Sequence, residues 1–316
     1  MIRAADGDSC AAARSVGDEM AIIDRLIAPN SGFQRRFFFL AKRFVAGESI
    51  DSAIAAVRAL NDAGMTATLD FLGEDVLERE AAVKTRDAYL SMLERIRQTG
   101  VDTNVSVKMT AMGLLIDQDF ALENLSQILR ASQNNADPFV RIDMEGSAVT
   151  QVTIDLFERA YANYKNVGIV LQAYLKRTPA DVARAIELGA RVRLCKGAYN
   201  EPPEIAIKEM PAIRTQYLAL ARELLERGHY PAIATHDREL IDAVRAFVRE
   251  RGIASDRFEF QMLYGCRPQL QRELVAQGYR MRVYVPYGTH WAGYFYRRVM
   301  ERRENALFAL SSIWSK

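Results

Sequence analysis

The 316-residue chain is 49% apolar, carries a formal net charge of +2 and contains three cysteines. Half-apolar composition supports one large core or two ordinary ones, and a near-neutral balance without a long basic run excludes nucleic acid as the main partner. Cys10, Cys195 and Cys266 are odd in number and far apart, which excludes a disulfide framework and a zinc-type pairing and fits a reducing cytoplasm; the opening residues lack the apolar core of a signal peptide, and no stretch reaches membrane-spanning length.

In chain order, residues 1–18 are small and polar and read as a frayed start. Met20–Leu26 is weakly amphipathic and ends at Pro29-Asn30. Phe33–Val45 mixes Phe37, Phe38, Phe39, Leu40 and Phe44 with Arg35, Arg36, Lys42 and Arg43. It reads either as a segment in peripheral contact with a membrane or, in preference, as a helix docked on the main body. Ser49–Ala63 is a helix that stops at Gly64.

A rhythm then begins. Short β-rich runs fall at Thr66–Leu72, Asn104–Met109, Phe139–Met144, Val167–Tyr174, Arg191–Lys196, Ala232–His236, Phe258–Leu263 and Arg282–Val285. Helical stretches lie between them, at Glu78–Gln98, Ala121–Gln133, Val152–Asn163, Pro179–Glu187, Glu204–Arg227, Arg238–Glu250 and Pro268–Gln277. Gly64, Gly100, Gly189, Gly228, Gly252 and Gly278 sit where left-handed helix caps are needed. Alternation of this kind predicts a (β/α)8 barrel. An open doubly wound sheet is the alternative, disfavoured because no G-x-G-x-x-G follows the first strand. No linker divides the chain, so residues 1–45 read as an N-terminal helical arm packed on the barrel and residues 46–316 as the catalytic barrel itself.

Functional residues of such a barrel gather at the C-terminal ends of its strands. Here those ends carry Lys108; Asp143, Met144 and Glu145; Gln172; Arg193, Lys196, Gly197 and Ala198; Thr235 and His236; Gln261 and Leu263; and Tyr284. Charged residues inside β-runs are costly to bury unpaired, so their recurrence on consecutive strands points to a site. Pro286 and Gly288 read as the stop of the last strand. A helix from about Thr289 then places Tyr294, Arg297, Arg298 and Glu301 on or near one face, and two guanidinium forks suit a carboxylate or phosphate.

Each residue also has an ordinary reading. Lys108 pairs with an acid inside the barrel; Arg193 makes a structural ion pair with Asp143; Lys196-Gly197 is a tight turn; His236 is structural; the two arginines cap a solvated helix end. Asp143 and Glu145 alternate along a strand, so at most one faces inward. A metal held by His236, Asp143 and Glu145 has no supporting ligand spacing, and no G-x-S-x-G marks a serine hydrolase. The residues by themselves reach a barrel enzyme for a small anionic substrate. A Schiff-base enzyme using Lys108 or Lys196 on a phosphorylated substrate and an inert binding scaffold remain as alternatives.

The segments VSVKMTAMGL, VRIDMEGS, NVGIVLQAYLKRTPAD, VRLCKGAYNEP, IATHD, FEFQMLYG and RVYVPYGTHW…YFYRRVMERREN, in that order, closely resemble the motifs of proline dehydrogenases, from about Arg43 to Leu310. The resemblance implies a distorted (β/α)8 barrel that binds FAD and oxidises L-proline to Δ1-pyrroline-5-carboxylate, by hydride transfer from proline C5 to flavin N5, with a quinone as the next electron acceptor. It implies that Lys108, Arg297 and Arg298 hold the proline carboxylate, that Glu301 orients the guanidiniums, and that Leu263, Tyr284 and Tyr294 wall the ring. Arg193 then lies near flavin N5, Asp143 supports the polar network, and Met144 and Gln172 contact the isoalloxazine. Lys196, Gly197 and Ala198 take the ribityl and pyrophosphate region, Thr235 and His236 the adenine side. Gly146 stands where an acidic residue is usual and Lys176 where an aromatic is common. No aldehyde dehydrogenase half follows, so the likeness is to the single-function form, cytoplasmic or peripheral at the inner face of the membrane, with a separate aldehyde dehydrogenase acting downstream.

Overall fold

The computed structural model describes residues 42–291 and Tyr294. Contacts divide the chain into Phe44–Gly288 and a unit formed by the two chain ends, Met1–Arg43 with Thr289–Lys316. Most of the N-terminal arm, and Arg297, Arg298 and Glu301 of the C-terminal helix, lie outside the described residues.

Residues 44–288 form a closed barrel of parallel strands. The strands are β1 (Thr66–Phe71), β2 (Thr103–Val107), β3 (Val140–Ile142), β4 (Val167–Gln172), β5 (Val192–Cys195), β6 (Ala232–Ala234), β7 (Glu259–Leu263) and β8 (Met281–Tyr287). Each pairs with the next, and β8 closes on β1 with Thr68 opposite Tyr284. Helix α1 (Ile50–Asp62) precedes β1, and the connecting helices are α2 (Arg79–Thr99), α3 (Gln118–Ser132), α4 (Ser147–Asn163), α5 (Thr178–Leu188), α6 (Met210–Arg227), α7 (Arg238–Glu250) and α8 (Pro268–Ala276). The predicted fold class is thus the observed one.

Side chains alternate between the two faces of a strand, and in this barrel the alternation separates apolar from polar. Leu69, Val105, Val107, Val140, Ile142, Leu194, Phe260, Val283 and Val285 are fully buried members of the core. Between them in sequence lie Thr68, Asp70, Asn104, Ser106, Arg141, Arg193, Glu259, Gln261 and Arg282, also buried. Thr68 bonds Asn104, Arg193 bonds Gln261 and Ser106, and Arg282 bonds Glu259 across the strands, while Gln261 bonds Glu259 within its own strand. The apolar set therefore serves the packing between sheet and helices, and the barrel axis is polar.

Several boundaries differ from the sequence reading, each for a physical reason. Strand β8 runs through Pro286 and does not stop there, because a proline removes one ladder donor but keeps its carbonyl, which here accepts from Ala46 N at 2.9 Å. Helix α6 begins at Met210, six residues later than read, because Ala206 pairs in an antiparallel bridge with Leu175. Lys108, Asp143 and Glu145 lie just past their strands, not within them. Gly64, Gly100, Gly189, Gly252 and Gly278 have the left-handed backbone expected of caps. Gly228 does not: its φ is −79°, and a side chain there would strike the carbonyl oxygen of Leu224.

The floor of the barrel is built around Arg141. Its Nη1 donates to Arg191 O at 2.7 Å and Ile169 O at 3.3 Å, and its guanidinium stacks on Phe139. Room for this exists because residue 168 is glycine: a Cβ there would lie 2.4 Å from Arg191 O, 2.5 Å from Phe139 Cζ and 2.9 Å from Arg141 Nη1. Gly168→Ala is expected to destabilise the protein by about 1–3 kcal/mol, the usual cost of overpacking. Gly73→Ala, where a Cβ meets nothing within 4 Å, is the matched control. Urea unfolding of the two variants checks this, and equal midpoints would contradict it.

Candidate active site

Two buried ion pairs meet above the polar axis. Lys108 Nζ contacts Asp70 Oδ2 at 3.1 Å and Oδ1 at 3.3 Å. Arg193 Nη1 donates to Asp143 Oδ1 at 2.6 Å. Ser106 links the two strands that carry the cations, since its Oγ accepts from Arg193 Nη1 at 3.1 Å and donates to Asp143 Oδ1 at 3.1 Å. Tyr284 Oη donates to the other oxygen of Asp143 at 2.8 Å, and the Arg193 guanidinium lies over the Tyr284 ring, 5.3 Å from its centroid. From α2, Tyr89 Oη donates to Ser106 O at 2.7 Å and lies 3.3 Å from Asp70 Oδ1.

The electrostatics follow from burial and pairing. Burial alone would lower the ammonium pKa of Lys108, but Asp70 and Asp143 outweigh it and hold the group above its ordinary value. Lys108 is therefore a fixed cation and unsuited to Schiff-base chemistry, which needs a free amine. Burial raises the Asp70 carboxyl, with Lys108 opposing. Burial next to Asp143 and Asp70 raises the Tyr284 phenol well above its ordinary range, so it stays a donor.

The mouth loops are tied by carboxylates. Glu145 accepts from Thr110 N at 3.1 Å and from Thr110 Oγ1, and Thr110 Oγ1 in turn accepts from Asp75 N at 3.0 Å. This joins the loops after β1, β2 and β3. Asp143 thus enters the charge network while Glu145 serves as a clamp. Glu201 accepts from Ser147 N at 2.7 Å and from Ser147 Oγ, capping α4 in place of its N-cap Gly146, which has no side chain.

Further round, Gln172 Nε2 donates to Glu145 O at 3.1 Å and its Oε1 accepts from Ala198 N at 3.4 Å. Met144 and Thr235 are buried. Lys196 Nζ pairs with Asp237 at 3.1 Å, and Arg214 Nε with the same oxygen at 2.8 Å. His236 Nε2 accepts from Leu263 N at 2.9 Å. Among the described residues no three His, Cys, Asp or Glu side chains converge as a metal-ligand set. Tyr294 is buried and belongs to the unit of chain ends. The sequence reading overlooked Asp70, Tyr89 and Ser106. Asp70 carried the clearest signal, an acid inside the run TATLDF.

Residues 53–310 match the family described as proline dehydrogenase. The chain is 41% identical over 276 residues to proline dehydrogenase 2 of Bacillus subtilis strain 168, covering 87% of this chain and 91% of that one. The chain belongs to the proline dehydrogenase family. It is an oxidoreductase with proline dehydrogenase activity, acting in proline catabolism. It is also 39% identical over 285 residues to the proline dehydrogenase of Deinococcus radiodurans, covering 89% of this chain and 92% of that one. Among solved structures it resembles proline utilization A from Bdellovibrio bacteriovorus inactivated by N-propargylglycine, with a TM-score of 0.77 and 29% identity over 83% of this chain. The chain spans 32% of that larger protein. Among the described residues no helix is long and apolar enough to cross a membrane.

Asp237 offers a pH test of these contacts. Burial pushes its carboxyl up, but Arg214 and Lys196 more than compensate and hold it below its ordinary 3.8. A carboxyl lowered in the folded state adds stability that is complete above its unfolded pKa and is lost as pH falls through the folded value. Asp237→Asn should therefore cost about 1.5–3 kcal/mol at pH 7, the range for hydrogen bonds to charged groups. The gap in Tm from wild type should narrow as pH falls below 3.8. A gap independent of pH would contradict this.

Proposed function

We propose that this enzyme binds FAD along the C-terminal ends of β4 to β6 and oxidises L-proline to Δ1-pyrroline-5-carboxylate beside it. The observation that carries the reading is one network holding two buried cations, Lys108 and Arg193, each with donors beyond those its carboxylate occupies. A small carboxylate substrate matches the first. A group that gains electrons matches the second.

The residues present fit the cofactor. Lys196 supplies a cation beside Gly197, whose φ is +126° and whose missing Cβ would lie 2.2 Å from the Tyr174 ring. Such a bare, close-packed turn lets backbone amides approach a diphosphate. The Gln172 amide and Met144 would contact the isoalloxazine, Lys196 to Ala198 the ribityl and pyrophosphate region, and Thr235 with His236 the adenine side. Bound there, FAD would supply a two-electron acceptor for the hydride leaving proline C5.

The chain's own residues bind and orient. Lys108, kept charged by Asp70, holds the proline carboxylate together with Arg297 and Arg298, which Glu301 orients. Leu263, Tyr284 and Tyr294 wall the pyrrolidine ring. Asp143 fixes both Tyr284 and Arg193, so the wall and the cation keep one relative position. Proline must present an unprotonated amine, so activity rises with pH until that proton is lost. Electrons pass on to a quinone, and the product to a separate aldehyde dehydrogenase.

The purified protein is expected to be yellow, to release FAD on heating, and to bleach with L-proline in the absence of oxygen. Well-folded protein that releases FMN or no flavin would overturn the reading. Truncating one member of a desolvated charge contact costs about 2–5 kcal/mol. Arg298→Ala is accordingly expected to lower kcat/KM by roughly thirtyfold to several thousandfold, much of it in KM, with flavin content near normal. Arg298→Lys restores only part, because an ammonium cannot reproduce the fork. Unchanged kcat/KM in both Arg297→Ala and Arg298→Ala would place the carboxylate elsewhere.

A further inference from the structure

The polar axis of the barrel is a chain of alternating charge. Asp143 accepts from Arg193 at 2.6 Å, Arg193 Nε donates to Gln261 Oε1 at 2.5 Å, and Gln261 Nε2 donates to Glu259 Oε1 at 2.5 Å. Arg282 Nε then donates to both oxygens of Glu259, at 3.0 and 3.1 Å, and Arg282 Nη2 to Asp137 at 3.2 Å. Gln261 is the one neutral member of this chain. Burial alone would raise the Glu259 carboxyl, but Arg282, the Gln261 amide, Arg191 and Arg141 hold it low, so the acid below Gln261 is ionised.

The amide orientation of Gln261 follows from its neighbours. A guanidinium only donates and a carboxylate only accepts, so Oε1 faces Arg193 and Nε2 faces Glu259. Other side chains fail at this position. A carboxylate would meet Glu259, a cation would meet Arg193, and an apolar group would leave a buried donor and a buried acceptor unmatched. Asparagine has the right amide but is one methylene short.

We infer that Gln261 is a positioning residue for the reaction: it holds the guanidinium plane of Arg193 from below and couples it to Glu259 without bringing a second negative charge against it. The inference rests on the proposed reading in which Arg193 faces the reacting atoms. With Asp143 alone beside it, Arg193 forms a balanced pair; a carboxylate at position 261 would tip the local charge to negative and oppose arrival of electrons in the neighbouring flavin.

Exchanging the two side chains tests this. In the double variant Glu259→Gln/Gln261→Glu, the new acid accepts from Arg193 and from the new amide, whose oxygen accepts from Arg282. The amide at 259 keeps only one of the two oxygens to which Arg282 Nε donates, Asp137 remains as the carboxylate of Arg282, and the charge moves one layer toward Arg193. The expected result is a folded protein of lower Tm with flavin content near wild type, KM within about threefold, kcat lower by about tenfold to a hundredfold, and a more negative midpoint potential of the bound flavin. A merely structural Gln261 would leave kcat and potential at wild-type values in the exchanged protein, and that result overturns the inference. Gln261→Met, similar in length and uncharged, is the second variant should the exchange fail to fold. Its kcat should fall by more than its KM rises, and an unchanged kcat again overturns the inference. Wild-type protein without flavin or proline oxidation would instead sink the functional reading and this inference with it, a result visible before any variant is made.

Discussion

The guanidinium of Arg193 lies inside the barrel with one carboxylate, Asp143, to match its charge. An unpaired charge at that depth would cost several kcal/mol, so the contact has to be made in the folded state and has to be made well. Arg193 comes from β5 and Asp143 from the loop after β3, so the contact requires β3, β4 and β5 to pair in register. Ser106 adds β2, Tyr284 adds β8 and Gln261 adds β7. One ion pair thus depends on most of the barrel. A slip of one residue in β2, β5, β7 or β8 would turn a polar side chain toward the helices and an apolar one toward the axis.

A polar axis also explains the division of labour between the barrel and its loops. The strands hold Asp70, Arg193, Glu259 and Arg282, and Lys108 and Asp143 stand just past the ends of theirs. Glu145 and Glu201 are acids spent on backbone and hydroxyl partners rather than on substrate. They fix the loops that carry Asp143 and the Lys196-Gly197-Ala198 turn, so the proposed substrate and flavin residues stand on supported backbone. Site precision of this kind requires a second layer of contacts, and here that layer is largely carboxylate.

Much of this was legible in the sequence, and the failures have local causes. The alternation of β-runs and helices predicts the barrel, and α7 spans Arg238–Glu250 as read, because its apolar face is unusually clear and Asp237 caps it. The start of α6 was misread because Glu204 to Lys208 carry no turn signal, although a bridge to Leu175 takes the backbone there. Strand ends two to eight pointed to Lys108, Asp143, Gln172, Arg193, Gln261 and Tyr284, which the structure ties into hydrogen-bond networks at the mouth and axis. Asp70 escaped because the end of the first strand was not read by the same rule. Pairing across strands is not a local property: nothing in the run FEFQML says that Gln261 joins Arg193 to Glu259. The C-terminal Arg297, Arg298 and Glu301 lie outside the described residues.

The central claim is that the buried acids set the cations for substrate, and a double-mutant cycle tests it most directly. Asp70→Asn, Lys108→Met and the double variant would be compared for L-proline binding, measured by equilibrium titration at constant pH and salt. If Asp70 acts through Lys108, the two changes share one effect, and the coupling free energy should exceed about 1 kcal/mol, within the range for residues in direct contact. Losses that simply add would contradict the account, for they would mean that Asp70 and Lys108 act on proline independently.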